Sequence, residues 1–256
     1  MTGGPKASRR VICAALAGAA ALSATLFPGA AALAGPADKL RDSLSRGRSA
    51  EISAPPIARF VAQDGRVFVL DRTQPAPMLK FEDSPEVWVL SPSPAPRGDV
   101  IYKNDLGEPM LRATRLGGVT LFSRQRPAGE PVSLAGGGVP LRLGGLSPQA
   151  LSERMLQASV RSGRAARRQV VFEAEATPAS AALIADAAMV VSLAFVRLAG
   201  RDRDALGQVD SVRFSEGRRP SASLADGVLT IVVSPGHGLA GRPSSDRVAK
   251  AIRTAD

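Results

Sequence analysis

One short segment concentrates the residue types that do chemistry: Pro235-Gly236-His237-Gly238-Leu239-Ala240-Gly241-Arg242-Pro243-Ser244-Ser245-Asp246-Arg247. It carries the sole histidine of the chain, His237, followed by Ser244 and Ser245 between Arg242 and Arg247. A serine-capped helix start presents free backbone N–H groups, and two guanidinium groups beside it would help to gather an anion. His237 as base, Ser244 or Ser245 as nucleophile and an aspartate as orienter are also the parts of a hydrolase triad. The chain has neither the Gly-x-Ser-x-Gly elbow nor the Ser-x-x-Lys pair that mark familiar serine enzymes. A hydrolase is therefore the alternative reading, and a helix cap with a surface histidine is the simpler one.

Other candidates weaken on inspection. Glu82, Asp83, Glu86, Asp99, Asp105 and Glu108 could supply the acid and base of a glycosidase. Sugar sites usually add exposed aromatics, whereas Trp88, the only tryptophan, sits in the apolar run Val87-Trp88-Val89-Leu90. Turn and edge acids account for the cluster more simply. Asp202 to Gly207 imitates a calcium loop, but Leu206 and Arg213 stand where ligands five and twelve belong. Gly136-Gly137-Gly138 and Gly144-Gly145 lack the Gly-Lys-Ser/Thr continuation of a phosphate cradle and read as flexible turns. With one cysteine and one histidine, a zinc, copper or haem site of the usual kind cannot be assembled. No metal and no cofactor are expected.

Charge says more about partners. The chain has 33 Lys and Arg against 23 Asp and Glu, a formal net charge of +10. Arg154, Arg161, Arg164 and Arg168 recur at helical spacing and, with Arg242 and Arg247, are the anion-binding candidates. A basic helix can lie on an anionic lipid surface, but this one lacks the Trp or Phe that would anchor it, and a solvated face is the bland reading. The partners expected are an anionic envelope polymer, a lipid surface or a partner protein, and not a specific nucleic acid. Only five of the basic residues are Lys, a skew that GC-rich codon usage alone would produce.

The elements that must position these residues begin after an export leader. Lys6, Arg9 and Arg10 precede an uncharged stretch from Val11 to Leu26, and small residues lead to Ala32-Leu33-Ala34, the order of a signal peptide cleaved before Gly35. Ser8-Arg9-Arg10-Val11-Ile12 also resembles a twin-arginine signal; an ordinary basic start reads equally well. Removing residues 1–34 from the 256 leaves 222, and taking Lys6, Arg9 and Arg10 from the 33 basic residues leaves 30 against 23 acids, a formal +7. The leader takes Cys13 with it, so an exported, periplasmic or envelope-associated protein would be held by its core without disulfides.

Residues 35–56 read as a loosely held arm, and 57–256 as a single domain. Short Val-, Leu- and Phe-rich runs at 57–61, 66–71, 78–81, 86–90, 100–103, 110–115 and 119–123 predict an antiparallel meander, with Asp64-Gly65 as a hairpin turn. Pro92, Pro94 and Pro96 confine 91–98 to a loop or edge. Ser147-Pro148 opens an amphipathic helix to about Arg168, and strands follow at 169–175, 209–215 and 228–234. Residues 178–199 form an Ala-rich helix, and a short helix from Ser244 or Ser245 to Arg253 closes the chain. The 179–196 run is long enough for a single membrane pass, but Asp186 near its centre favours a buried core helix with a polar or basic partner for that carboxylate. The fold class expected is α+β: a mainly antiparallel, many-stranded sheet packed on the buried Ala-rich helix.

Three stretches, Phe81-Glu82-Asp83-Ser84-Pro85-Glu86-Val87-Trp88, the run from Arg97-Gly98-Asp99 to Gly117-Gly118-Val119-Thr120-Leu121-Phe122, and Gly241-Arg242-Pro243-Ser244-Ser245-Asp246-Arg247, resemble a family of exported alphaproteobacterial proteins with a domain of unknown function. The resemblance spans most of the chain beyond the leader and implies export and one shared domain, with no active site attached. Composition and resemblance together point to an exported, non-enzymatic binding or scaffold protein with a basic surface. A periplasmic hydrolase and a single-pass membrane protein are the alternatives.

Overall fold

The computed structural model describes residues 55–255; the expected leader and the expected arm up to Ala54 lie outside them. Nine short strands follow one another: β1 (Ile57–Ala62), β2 (Val67–Asp71), β3 (Met78–Phe81), β4 (Val87–Val89), β5 (Ser91–Pro94), β6 (Val100–Lys103), β7 (Pro109–Ala113), β8 (Val119–Leu121) and β9 (Glu130–Gly137). They pair antiparallel in the order β4-β3-β2-β1-β9-β8-β7-β6-β5. The two outermost strands, β4 and β5, are separated in sequence by Leu90 alone. The edges of the sheet must therefore lie next to each other, so the sheet curls into a nearly closed barrel.

Period-two burial sets which side chains fill it. Ala58, Phe60 and Ala62 of β1 and Phe68 and Leu70 of β2 point inward, and Phe60 stacks on Phe68 at 5.4 Å between ring centres. Leu79, Trp88, Leu90, Tyr102, Leu111 and Leu121 complete this core. β5 carries Pro92 and Pro94 on an edge of the sheet, where their missing N–H groups are tolerated.

β9 corrects the sequence reading. Gly136 and Gly137, expected in a flexible turn, end this strand and pair with Arg59 and Ala58 across a register shift in β1. Glycine and Pro131 hide the strand in sequence. The neighbouring β1 and β8 supply the ladder that local propensity does not.

The second half forms a separate layer. β10 (Val171–Ala174), β11 (Ser211–Glu216), β12 (Ser221–Ala225) and β13 (Val228–Val233) lie in the order β10-β11-β13-β12, with β10-β11 and β11-β13 parallel and β12-β13 antiparallel. The β12-β13 hairpin turns on Asp226 and Gly227, whose φ values of 49° and 75° are those of a type I′ turn. Three helices accompany this sheet: α1 (Pro148–Ala166), α2 (Ala181–Ala199) and α3 (Ser245–Arg253). Parallel β10 and β11 require a crossover, and α2 provides it.

Twelve of the 19 residues of α2 are buried. Among the described residues it is the one helix long and apolar enough to cross a membrane, and its apolar side chains enter a core shared with α1, α3 and β10–β13. That core runs through Ile184, Ala188, Val191 and Phe195 of α2 to Phe214, Leu229, Ile231 and Ile252. The α+β class thus holds with two main cores and a small third cluster, Met78, Val87 and Leu239, that joins the barrel to the 235–241 segment. The barrel packs its own interior and reaches α2 through polar groups, notably Glu86 and Arg197.

Burial separates two leucines of one hairpin by consequence. Leu111 is fully buried in the barrel, so Leu111→Ala is expected to cost about 2–5 kcal/mol in urea unfolding. Leu116, 94% exposed at the β7–β8 turn, is expected to change stability by less than about 0.5 kcal/mol on the same substitution.

Candidate functional site

The junction between the two layers is built around the first turn of α3. Ser244 caps that helix by accepting from Arg247 N, which leaves the helix start facing the barrel. Two barrel carboxylates meet it. Glu86, just before β4, accepts from Ser245 N at 2.8 Å and from Ser245 Oγ at 2.6 Å. Asp105, in the β6–β7 turn, accepts from Ser244 N at 3.0 Å and from Ser244 Oγ at 2.6 Å. The unpaired N–H groups of a helix start favour negative charge, so each acid gains a charge-assisted bond and the helix loses two orphan donors.

Guanidinium groups complete the arrangement. Arg197, in the last turn of α2, donates to Glu86 at 3.1 Å and to Asp246 at 3.3 Å, and its guanidinium lies 5.4 Å from the centre of the Trp88 ring. Arg247 Nε donates to Asp105 at 3.0 Å. Arg242 is buried; it pairs with Asp186 of α2 and donates to the carbonyls of Val87 and Pro243. Asp186 has found the basic partner that a carboxylate on a core helix requires. Gly241 must be glycine, since a Cβ there would stand 2.0 Å from the Ser234 carbonyl oxygen.

The anion gathered at the serine-capped helix is therefore the protein's own. Ser244 and Ser245 donate their hydroxyls to Asp105 and Glu86. His237 is exposed, and its Nδ1 lies 2.8 Å from Ser234 Oγ. Each of the three proposed triad residues thus has a partner outside the trio. Complete burial pushes the Glu86 carboxyl above the usual range, against the pull of Arg197 and the two Ser245 donors.

The six arginine candidates divide in the same way. Arg242 and Arg247 are held in the junction. Arg168 lies beyond the end of α1, because Arg167 turns left-handed with φ 58° and the helix stops at Ala166. It pairs with Asp210 and donates to the Gly207 carbonyl. Arg154, Arg161 and Arg164 remain exposed on α1, each without an ion-pair partner among the described residues.

These three arginines line a connected set of hollows. A groove of about 700 Å³ opens between β3, the 137–146 segment and the start of α1, with Lys80, Arg142 and Arg154 in its walls. Arg154 and Asp186 also line a neighbouring cavity of about 350 Å³, which Arg161 shares. Arg161 and Arg164 line the next, against the outer face of α1 and α2. Lys80 and Arg142 were not among the sequence candidates. The outward position of Lys80 in Met78-Leu79-Lys80-Phe81 is readable from strand alternation, whereas nothing local places Arg142 beside it.

One buried acid holds the groove wall. Asp71, at the end of β2, accepts from Thr73 N, from Thr73 Oγ1 and, at 2.9 Å, from Leu141 N of the 137–146 segment. Burial opposes its ionisation, but these donors and nearby Arg142 outweigh that and hold its carboxyl below the usual aspartate range. Among the described residues no group of three or more His, Cys, Asp or Glu is placed to hold a metal ion.

Fold and site together describe a two-layer protein, a β-barrel joined to an α/β layer through a polar junction, with cations that lack an ion-pair partner among the described residues along one groove. The chain belongs to the DUF4908 family, a domain of unknown function, which matches residues 39–252. No curated protein and no solved structure matches it.

Two measurements probe the acids. Glu86→Ala strands Arg197 and the Ser245 donors and is expected to cost about 3–5 kcal/mol in urea unfolding, with Glu86→Gln costing less because its amide still accepts one bond. A group whose folded pKa is lowered contributes stability above its unfolded pKa and loses it as pH falls through the folded value. Asp71→Asn should therefore be less stable than wild type near neutrality, and the gap should narrow steadily on acidification toward the strongly acidic range.

Proposed function

We propose that this protein is a non-enzymatic binding protein for an extended anionic polymer, acting outside the cytoplasm. The observation that carries this reading is the continuity of cations without an ion-pair partner among the described residues: Lys80, Arg142, Arg154, Arg161 and Arg164 border hollows that share walls. From Arg154 to Arg164 the helix rises about 15 Å, enough to follow several charged units of a linear chain. Cations already paired inside the protein would add little, so the division between engaged and free arginines matters more than the total charge. The engagement of Ser244 and Ser245 with barrel carboxylates argues for binding over hydrolysis.

Action in the envelope rests on the order of residues 1–34: a basic start, an uncharged apolar run and Ala32-Leu33-Ala34. An acidic polysaccharide is the partner that best fits a long, shallow, solvent-open groove bordered by flexible cationic side chains. Lipid and protein partners would use an apolar face beside the charge; exposed Leu156, Val160 and Val196 supply a small one next to Arg161 and Arg164, at that end of the run only.

Dextran sulfate serves as the probe. Wild-type protein is expected to bind it with an affinity that falls as salt rises, because exposed charges are screened. The triple variant Arg154→Glu, Arg161→Glu, Arg164→Glu should lose at least about tenfold in affinity, roughly 1.4 kcal/mol. The charge-matched triple variant Arg203→Glu, Arg218→Glu, Arg219→Glu, at exposed positions outside these hollows, and His237→Ala should bind like wild type. Equal loss from the two triple variants would reduce the reading to net charge.

A further inference from the structure

A further hollow, lined in part by Arg197 and Asp246 of the junction, has a different chemistry. It has a volume of about 380 Å³, within the range of small-molecule sites, and its apolar lining includes Trp88, Met110 and Phe122. Arg124, Arg197 and Arg201 stand around it, with Arg66, which is held by Asp64 and Glu130, and two carboxylates, Glu108, which accepts from Asn104, and Asp246, which faces Arg197 and Arg124. Arg197 is committed to Glu86 and Asp246, and Arg124 reaches Asp246 only at 3.6 Å. Arg201, one turn after Arg197, is exposed and has no ion-pair partner among the described residues. A free guanidinium beside an aromatic floor is built for a ligand with two unlike ends.

We propose that this hollow binds a small apolar anion, an aromatic or alkyl body carrying one carboxylate or sulfonate. The body would lie on Met110 and Phe122 next to the Trp88 ring, and the anionic end would meet Arg201, with Arg124 as a second donor. The sealed pairs beneath support this assignment, because Arg197 is held in place by Glu86 and stacked over Trp88 before any ligand arrives. Preorganised walls of this kind spare the ligand the entropy of ordering them. The site is separate from the groove lined by Arg154, and neither depends on the other.

Trp88 is the only tryptophan, so its emission reports on this hollow alone. The full chain is titrated with decanoate, phenylbutyrate and decanol, following Trp88 emission and, in parallel, heat by calorimetry. Both anions are expected to give saturable binding, with decanol at least about tenfold weaker. Whichever anion binds more tightly identifies the body as alkyl or aromatic. Arg201→Glu should weaken anion binding at least about tenfold, whereas Arg154→Glu should leave it unchanged. The proposal is overturned if neither method detects saturable binding, if decanol binds as well as decanoate, or if Arg201→Glu binds like wild type.

Discussion

A carboxylate with no solvent exposure, Glu86, is the point on which the two layers agree. An ionised acid cannot be buried without donors, and here the donors come from the opposite layer: the N–H and hydroxyl of Ser245 and the guanidinium of Arg197. The bond geometry therefore fixes the start of α3 against the lip of the barrel. Asp105 repeats the device one residue earlier, with Ser244, and Arg242 locks the same loop to Asp186 and to the Val87 carbonyl. Because the barrel and the α/β layer have separate cores, polar groups in directional contact supply much of what sets one against the other. The apolar contact of Met78 and Val87 with Leu239 adds burial there, and the directional polar bonds give the contact its register.

That arrangement also decides which charges are left for other work. Arg168, Arg197, Arg242 and Arg247 are neutralised by acids of the same chain. Arg154, Arg161 and Arg164 of α1 and Lys80 and Arg142 of the groove wall have no ion-pair partner among the described residues, whereas Arg59 in the same wall is held by Glu82. Asp71 holds that wall by anchoring Leu141. Paired and unpaired charge are thus separated by geometry among the described residues, although in sequence they are interleaved arginines of one kind.

Much of the architecture was legible because its periods are local. Alternation exposes β1–β3, Pro92 and Pro94 mark an edge, Asp226-Gly227 marks the hairpin, and Ser147-Pro148 and Ser244 mark helix starts. The strands that escaped notice, β9 and β12, are rich in glycine, serine and alanine, and exist because neighbours complete their ladders. Gly241 belongs to the same group: its identity is dictated by the carbonyl of Ser234, a close approach created by the loop around it.

The sequence alone determined the α+β class, the burial of the Ala-rich helix, the need of Asp186 for a basic partner and the surplus of arginine. Each follows from hydrophobic period, turn chemistry or charge count, which act over a few residues or over the whole composition. Only the tertiary structure decided that Ser244 and Ser245 face Asp105 and Glu86, and that Arg154 stands free beside Lys80 and Arg142 while Arg242 is sealed. The serine–carboxylate partnerships join residues more than a hundred positions apart. No local pattern encodes them; they arise when two independently packed cores bring their polar rims together.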